Sequence, residues 1–310
     1  MEFLKMLESI RTPFLDTVIS LVTYLGAETL FMVGALIFFW CVDKYRGYFL
    51  ICIGGLGIVF NQLLKMIFRI PRPWDLDPSF TIVESAREGA TGYSFPSGHT
   101  QTATTLYGGI ARSDKRRAVQ IGGVAMCLLI AFSRMYLGVH TPKDVLVSLA
   151  IGAILIFVCY PLVERSKEKP IYMYCIIAFA FLLTLSNLLF VMLYPFPVDV
   201  DIVNLEDARE NAWKLMAIMV GTCFLYPIER KWIQFETKAV WWAQLLKLMG
   251  GVIVLLAVRV LLKAPFNALF GVYVGGALRY FLMLIAGGLL WPITFKWFAK
   301  LGQPKETTEE

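Results

Sequence analysis

The sequence predicts an all-α protein, a polytopic transmembrane helix bundle of about nine spans. Hydrophobic residues make up 58% of the 310 positions and charged residues only 17%, against about 45–50% and about 25% in soluble domains. The apolar residues are also gathered into runs, and 145–163 and 170–198 hold no charge at all. A helix needs about 20 mostly apolar residues to cross the hydrocarbon of a bilayer, so both runs read as spans. Short charged linkers, "DKYRG", "RSDKRR" and "ERSKEK", separate neighbouring runs.

In chain order, an amphipathic start leads into 14–26, which Asp16 interrupts. That stretch is short for a crossing and suits an interfacial or half-inserted segment. Residues 29–42 and 47–64 form the first two spans, and the polar stretch 69–90 follows. Residues 97–111 and 118–132 make the next pair, and 142–163 and 170–193 the third. An acidic loop, 198–211, precedes three more segments near 212–228, 239–262 and 267–295, which Lys214, Lys247 and Arg279 interrupt or edge. Charges inside a span face the bundle interior or snorkel. The expected organisation is therefore a membrane core over 1–195 and an additional block over 196–310, ending in the polar tail "QPKETTEE".

The N-terminus lacks the basic, apolar, small-residue order of a cleaved signal peptide. None of the six cysteines has Cys-x-x-Cys spacing, so they read as buried, inert thiols. Comparing alternate loops, one face collects Lys44 and Arg46, the arginines and lysine of 112–117, those of 165–169, Arg230, Lys231 and Lys238, and the lysines after 295. The opposite face carries fewer. Cytoplasmic loops concentrate Lys and Arg, which places the second face, and both histidines of the chain, outside.

Three clusters fall on that outer face, at the ends of different spans: "KMIFRIPRP" with Lys65 and Arg72, "YSFPSGHT" with Ser97, Gly98 and His99, and "SRMYLGVHTPKD" with Arg134, His140 and Asp144. Taken singly, each has a plain structural role. Lys65 and Arg72 can snorkel, Ser97 can cap a helix, and Thr141 to Asp144 reads as a capping box with proline at its first helical position. Together they put two imidazoles and three cations at one depth beside helix N-termini, which attract anions. Three cations with amide donors make a clamp for a phosphoryl group. His140 and Asp144, four apart, meet on one helical face if the helix begins there. The carboxylate then fixes the imidazole tautomer and leaves the far nitrogen to attack, while His99 protonates the leaving oxygen.

In order and spacing, Lys-x6-Arg-Pro, Pro-Ser-Gly-His and Ser-Arg-x5-His-x3-Asp resemble the three signature motifs of the type-2 phosphatidic acid phosphatase (lipid phosphate phosphatase) superfamily. The likeness covers roughly 14–195. It implies that His140 is the nucleophile of a phosphohistidine intermediate, that His99 is the general acid and later helps activate water, and that Asp144 orients His140. It implies that Lys65, Arg72 and Arg134, with Ser97 and the Gly98 amide, hold the phosphoryl oxygens, and that no metal or other cofactor is used. Residues 196–310 depart from the minimal six-span pattern. Nine spans with an outward N-terminus resemble the arrangement of glucose-6-phosphatase, and "RIPRP" followed closely by "YSFPSGHT" is similar to the sphingosine-phosphate phosphatase branch. The roughly 20 residues between Pro73 and Tyr93 are too few for a large cap domain, so the site is expected to open towards lipid headgroups.

The leading expectation is a metal-independent phosphatase in the plasma membrane. It acts on a lipid phosphate monoester or polyprenyl diphosphate at the outer face and has no nucleic-acid partner. Transfer to an alcohol acceptor, a sugar-phosphate substrate, and an anion pathway in place of an enzyme are the alternatives, and oligomeric state is left open. A transporter would spread its cations over several depths; here they gather at one face.

Overall fold

The computed structural model describes residues 1–302, and the tail 303–310 lies outside them. All regular structure among the described residues is helical. In order the helices are α1 (Glu2–Ser9), α2 (Pro13–Tyr24), α3 (Glu28–Ile37), α4 (Lys44–Phe68), α5 (Pro73–Leu76), α6 (Gly98–Ala103), α7 (Gly109–Ser113), α8 (Arg117–Tyr136) and α9 (Pro142–Ser166). They continue as α10 (Ile171–Leu193), α11 (Ile202–Ile228), α12 (Trp241–Leu261), α13 (Lys263–Ile285), α14 (Trp291–Ile293) and α15 (Phe295–Lys300).

Each of the nine expected spans falls in helical structure, but among the described residues six or seven crossings are supported and not nine, the segments at 97–111 and 212–228 being the two left out. Six stretches are long and apolar enough to cross a bilayer: Lys44–Leu76, α8, α9, α10, α12 and Lys263–Lys300. Helices α2 and α3 form a seventh candidate only as a pair bent by 44°. The half-inserted segment expected over 14–26 is thus one arm of a broken span or re-entrant loop. Asp16 within it accepts a hydrogen bond from the Tyr136 hydroxyl at 2.9 Å.

The chain divides into two compact units. One comprises Met1–Ala35 and Tyr48–Ala212; the other comprises Leu36–Gly47 and the chain from Trp213 onward.

In the first unit the segment 98–113 is enclosed by its neighbours. Residues 100 to 106 are all buried, although five of the seven are threonine or glutamine. At about 1.5 Å per residue it is too short to span about 30 Å of hydrocarbon. A helix wrapped by protein has no need to match the bilayer. A wide π turn over Thr104–Gly108 loosens its backbone ladder. The Thr104 hydroxyl donates to Thr100 O at 2.7 Å, and Thr105 donates to the carbonyls of Gln101 and Thr102. Side-chain donors of this kind resupply freed carbonyls. Packing around this helix is close: a Cβ at Gly152 of α9 would stand 2.5 Å from the Thr104 methyl group. Glycine there lets the helices approach as small residues do in membrane interfaces.

The N-terminal segment clasps the loop after α5. Lys5 pairs with Asp77 at 2.7 Å, and Glu8 accepts hydrogen bonds from the Thr81 amide and hydroxyl. Arg11 donates to Thr81 O at 2.7 Å and to Tyr136 O at 3.0 Å. Leu4 packs with Phe80 and Ile82 beneath these polar contacts.

In the second unit, Trp40 is fully buried. Its indole donates to Gly287 O at 3.1 Å and meets the Phe295 ring edge-on. Two of the charges read as interrupting spans turn inward. Lys247 and Arg279 are both buried, and Lys247 donates to Thr237 O at 2.9 Å while lying over the Phe295 ring. Helix α13 carries a break at Gly271, where φ is +75°. The cysteines depart from expectation: only Cys127 and Cys159 are buried, Cys41, Cys52 and Cys223 are partly covered, and Cys175 is exposed on α10. An apolar span facing lipid needs no protein cover, so membership of such a run does not imply burial.

Candidate active site

Three loop and helix ends of the first unit supply the polar residues. Lys65 lies in the last turn of α4. Arg72 precedes α5, whose first residue is Pro73. Ser97 caps α6, accepting from the Thr100 amide and hydroxyl at 3.4 and 2.9 Å. Gly98 and His99 open that helix, so the Gly98 amide is among the N–H groups without a helical partner. Arg134 occupies the last turn of α8, and the turn that follows needs Gly138 at φ +80°. His140 comes two residues later, just before α9. The capping box at Thr141 and Asp144 is present as read, with Pro142 at its first helical turn.

The structure brings His140 and Asp144 together. Nδ1 of His140 stands 3.4 Å from Asp144 Oδ2, and both side chains are almost fully buried, at 2% and 1% exposed. The same carboxylate oxygen accepts from the Thr141 amide at 2.8 Å and from the Ser94 hydroxyl at 2.6 Å. On the other side of the ring, Nε2 lies 3.1 Å from Arg72 Nη1. A guanidinium can only donate, so Nε2 carries the lone pair and Nδ1 the proton. Burial, and then Arg72, Arg134, Lys65 and His99, hold His140 well below the usual imidazole range. The ring is therefore neutral at physiological pH.

His99 lies in the field of Arg134, Lys65 and Arg72. All of the sequence-identified cations thus act on both imidazoles. Their commitments differ. Arg72 donates through Nε to Gly92 O at 3.0 Å, through Nη2 to Thr91 O at 2.7 Å and through Nη1 to Val139 O at 2.9 Å. With the contact to His140 this occupies four of the five N–H groups that an arginine owns. Arg72 therefore ties the loop before α6 to the loop before α9. Arg134 is the opposite case. It is 1% exposed, and Nη1 donates to Thr23 at 2.8 Å. Its Nε and Nη2 are buried without a partner. Buried donors are seldom left so, and a planar pair of free N–H groups matches two oxygens of a phosphoryl group.

Backbone bonds hold the two histidine segments in register. The Ser97 amide donates to Asp144 O at 3.2 Å, and the Ser148 hydroxyl donates to Ser97 O at 2.9 Å. Asn61 donates to Pro96 O at 3.3 Å. Sequence reasoning singled out none of Thr23, Asn61, Ser94 and Ser148. Ser94 sits inside the quoted "YSFPSGHT", so its nearness to His99 was the available signal. Thr23 lies in an apolar helix and gave none. Among the described residues, no three of His, Cys, Asp and Glu come together as metal ligands.

Comparison with known proteins places the motif residues, though not Thr23, in a matched segment. Residues 46–168 match the PAP2 superfamily, and residues 213–304 match the PAP2 superfamily phosphatase transmembrane extension. Phosphatidylglycerophosphatase B of Bacillus subtilis is 31% identical over 173 residues, which cover 51% of this chain and 80% of that protein. Sphingosine-1-phosphate phosphatase 2 of Homo sapiens is 29% identical over 51% of this chain and 41% of its own length. Undecaprenyl-diphosphatase BcrC of Bacillus subtilis is 34% identical over 34% of this chain and 52% of its own length. The chain thus spans about half or less of the last two proteins.

Proposed function

Because this chain belongs to the PAP2 superfamily of membrane phosphatases, we propose that it hydrolyses a lipid phosphate monoester or polyprenyl diphosphate through a phosphohistidine on His140. The observation that carries this reading is the buried Arg134 guanidinium with two unpartnered nitrogens, beside two imidazoles and two further cations.

In the first step the anionic phosphate offsets the field of the cations so that His99 takes up a proton; Nε2 of neutral His140 attacks phosphorus, the P–O bond to the lipid breaks, and His99 delivers that proton to the departing oxygen. Asp144, fixed by Ser94 and the Thr141 amide, stabilises the imidazolium character that develops on His140. In the second step water attacks phosphorus, His99 takes its proton, and the N–P bond breaks to release phosphate. Arg134, Lys65, Ser97 and the Gly98 amide receive the equatorial oxygens, where charge spreads in phosphoryl transfer. Arg72 keeps its three backbone bonds and passes the donor now on Nε2 to a phosphoryl oxygen, uncovering the lone pair.

Lipid substrates are supported by the names of the relatives, which act on phosphatidylglycerophosphate, sphingosine 1-phosphate and undecaprenyl diphosphate. An outward-facing site is supported by the Lys and Arg content of the opposite loops, and the plasma membrane is its proposed location. Residues 1–195 are taken to carry the chemistry, with 196–310 as additional membrane helices. The test is phosphate release by purified His140→Ala protein inserted to the same level as the parent. Loss of release is expected, and unchanged turnover would reject the assignment. A chelator added to the parent enzyme is expected to leave its rate unchanged.

A further inference from the structure

A side chain from α11, C-terminal to the matched segment 46–168, comes near Lys65 across Gly92. Asn204 lies in the first turn of α11, which packs against α4 and α10 through Leu205, Ala208 and Ala212 on Met66 and Val191. Its amide is oriented by a neighbour: Nδ2 donates to Asp201 Oδ2 at 3.0 Å. A carboxylate only accepts, so the amide must present its nitrogen to Asp201 and its oxygen on the other side. On that other side lie Gly92 and Lys65. Gly92, whose carbonyl receives Arg72, is a reference point: a Cβ built on it would stand 3.8 Å from Asn204 Oδ1 and 3.8 Å from Lys65 Nζ. Gly92, at φ +68°, has no Cβ to enter the space beside these two groups. No hydrogen bond joins Asn204 and Lys65 among the described residues.

We infer that Asn204 reads the substrate next to its phosphate. An acceptor held beside a phosphate-binding cation selects a hydrogen-bond donor on the carbon adjacent to the phosphoester carbon. The chemistry is a vicinal hydroxyl or ammonium group. Phosphatidylglycerophosphate carries the first and sphingosine 1-phosphate the second; phosphatidate carries an acyl ester there and offers no donor. This rests on the phosphatase reading above and narrows its substrate class.

The experiment measures kcat/KM for phosphatidylglycerophosphate, sphingosine 1-phosphate and phosphatidate with the parent enzyme, Asn204→Ala, Asn204→Asp and His140→Ala. The readout is the ratio of each donor-bearing substrate to phosphatidate. Asn204→Ala is expected to lower at least one of the two ratios about tenfold, the size of one lost hydrogen bond. Asn204→Asp keeps an acceptor and adds charge. It raises the sphingosine 1-phosphate ratio if the ammonium is the group read, and leaves the phosphatidylglycerophosphate ratio dominant if it is the hydroxyl. Equal losses on all three substrates would mean that Asn204 acts through Lys65, and no change would mean that it does not reach the substrate; either overturns the inference. Turnover surviving in His140→Ala would instead reject the underlying phosphatase site, so the two failures are distinct.

Discussion

Ser94 gives Asp144 its shortest hydrogen bond, 2.6 Å, and its own amide is tied to Ile70 O at 2.8 Å. It therefore links the loop carrying Arg72 to the carboxylate that orients His140. A hydrogen bond to a charged group is worth about 1.5–3 kcal/mol, so Ser94→Ala is expected to lower kcat/KM by at least tenfold, with Ser94→Thr recovering part of it. Arg134→Ala should cost about two to three orders of magnitude in kcat, as deletion of a transition-state donor does. Arg134→Lys should not restore it, because a point charge cannot supply two planar donors. The pH dependence has a definite sign. Burial and neighbouring cations lower the His140 pKa below 6.5, so the imidazole stays unprotonated as pH falls through that value. A kcat/KM profile should show the acid limb due to His140 below pH 6.5, and a limb above it would contradict the neutral, buried nucleophile. At this scale the histidines, cations and Asp144 were legible in the sequence because the motifs keep them in short, polar stretches. The positioning hydroxyls were not. A buried serine or threonine looks the same in a sequence whether it bonds its own helix or a catalytic carboxylate.

Among the elements, the buried segment 98–113 depends on small residues in its neighbours. Gly152→Leu would drive a side chain into Thr104, and overpacking of this kind costs about 1–3 kcal/mol. A lowered unfolding temperature in detergent is expected, while a substitution at lipid-facing Leu146, which is 63% exposed, should leave it near the parent value. Most helix positions were legible, since apolar runs and charged linkers set them, but α11 starts at Ile202, inside the stretch 198–211 expected to be an acidic loop. The helices' inner character was less so. The π turns over Thr104–Gly108 and Ala286–Leu290 and the break at Gly271 arise from packing between helices, which no local periodicity encodes. The capping box at Thr141 shows the converse. There one short motif carries both the local cap and the carboxylate that orients His140, so the structural and chemical readings are both true.

For the whole molecule, orientation is the expectation most open to direct test. Single cysteines placed at Lys115 and at Asp199, in a background without the six native thiols, should label oppositely with a membrane-impermeant reagent. Asp199→Cys is expected to react from outside intact cells and Lys115→Cys only after permeabilisation; the reverse pattern would invert the protein. The fold class and the gathering of three distant motifs at one site could be inferred from sequence because a membrane forces alternate loops to one face. The approach of Asn204 could not, since nothing local marks a residue of α11 as a neighbour of Lys65. The central claim is that phosphorus passes through His140, and one measurement addresses it directly. Enzyme mixed with a 32P-labelled lipid phosphate should be quenched in alkali within a single turnover and its peptides mapped by mass spectrometry. The account predicts an acid-labile, alkali-stable phosphate on His140 that forms and decays at rates compatible with turnover. Turnover with no label on His140, or with label on another residue, would contradict it.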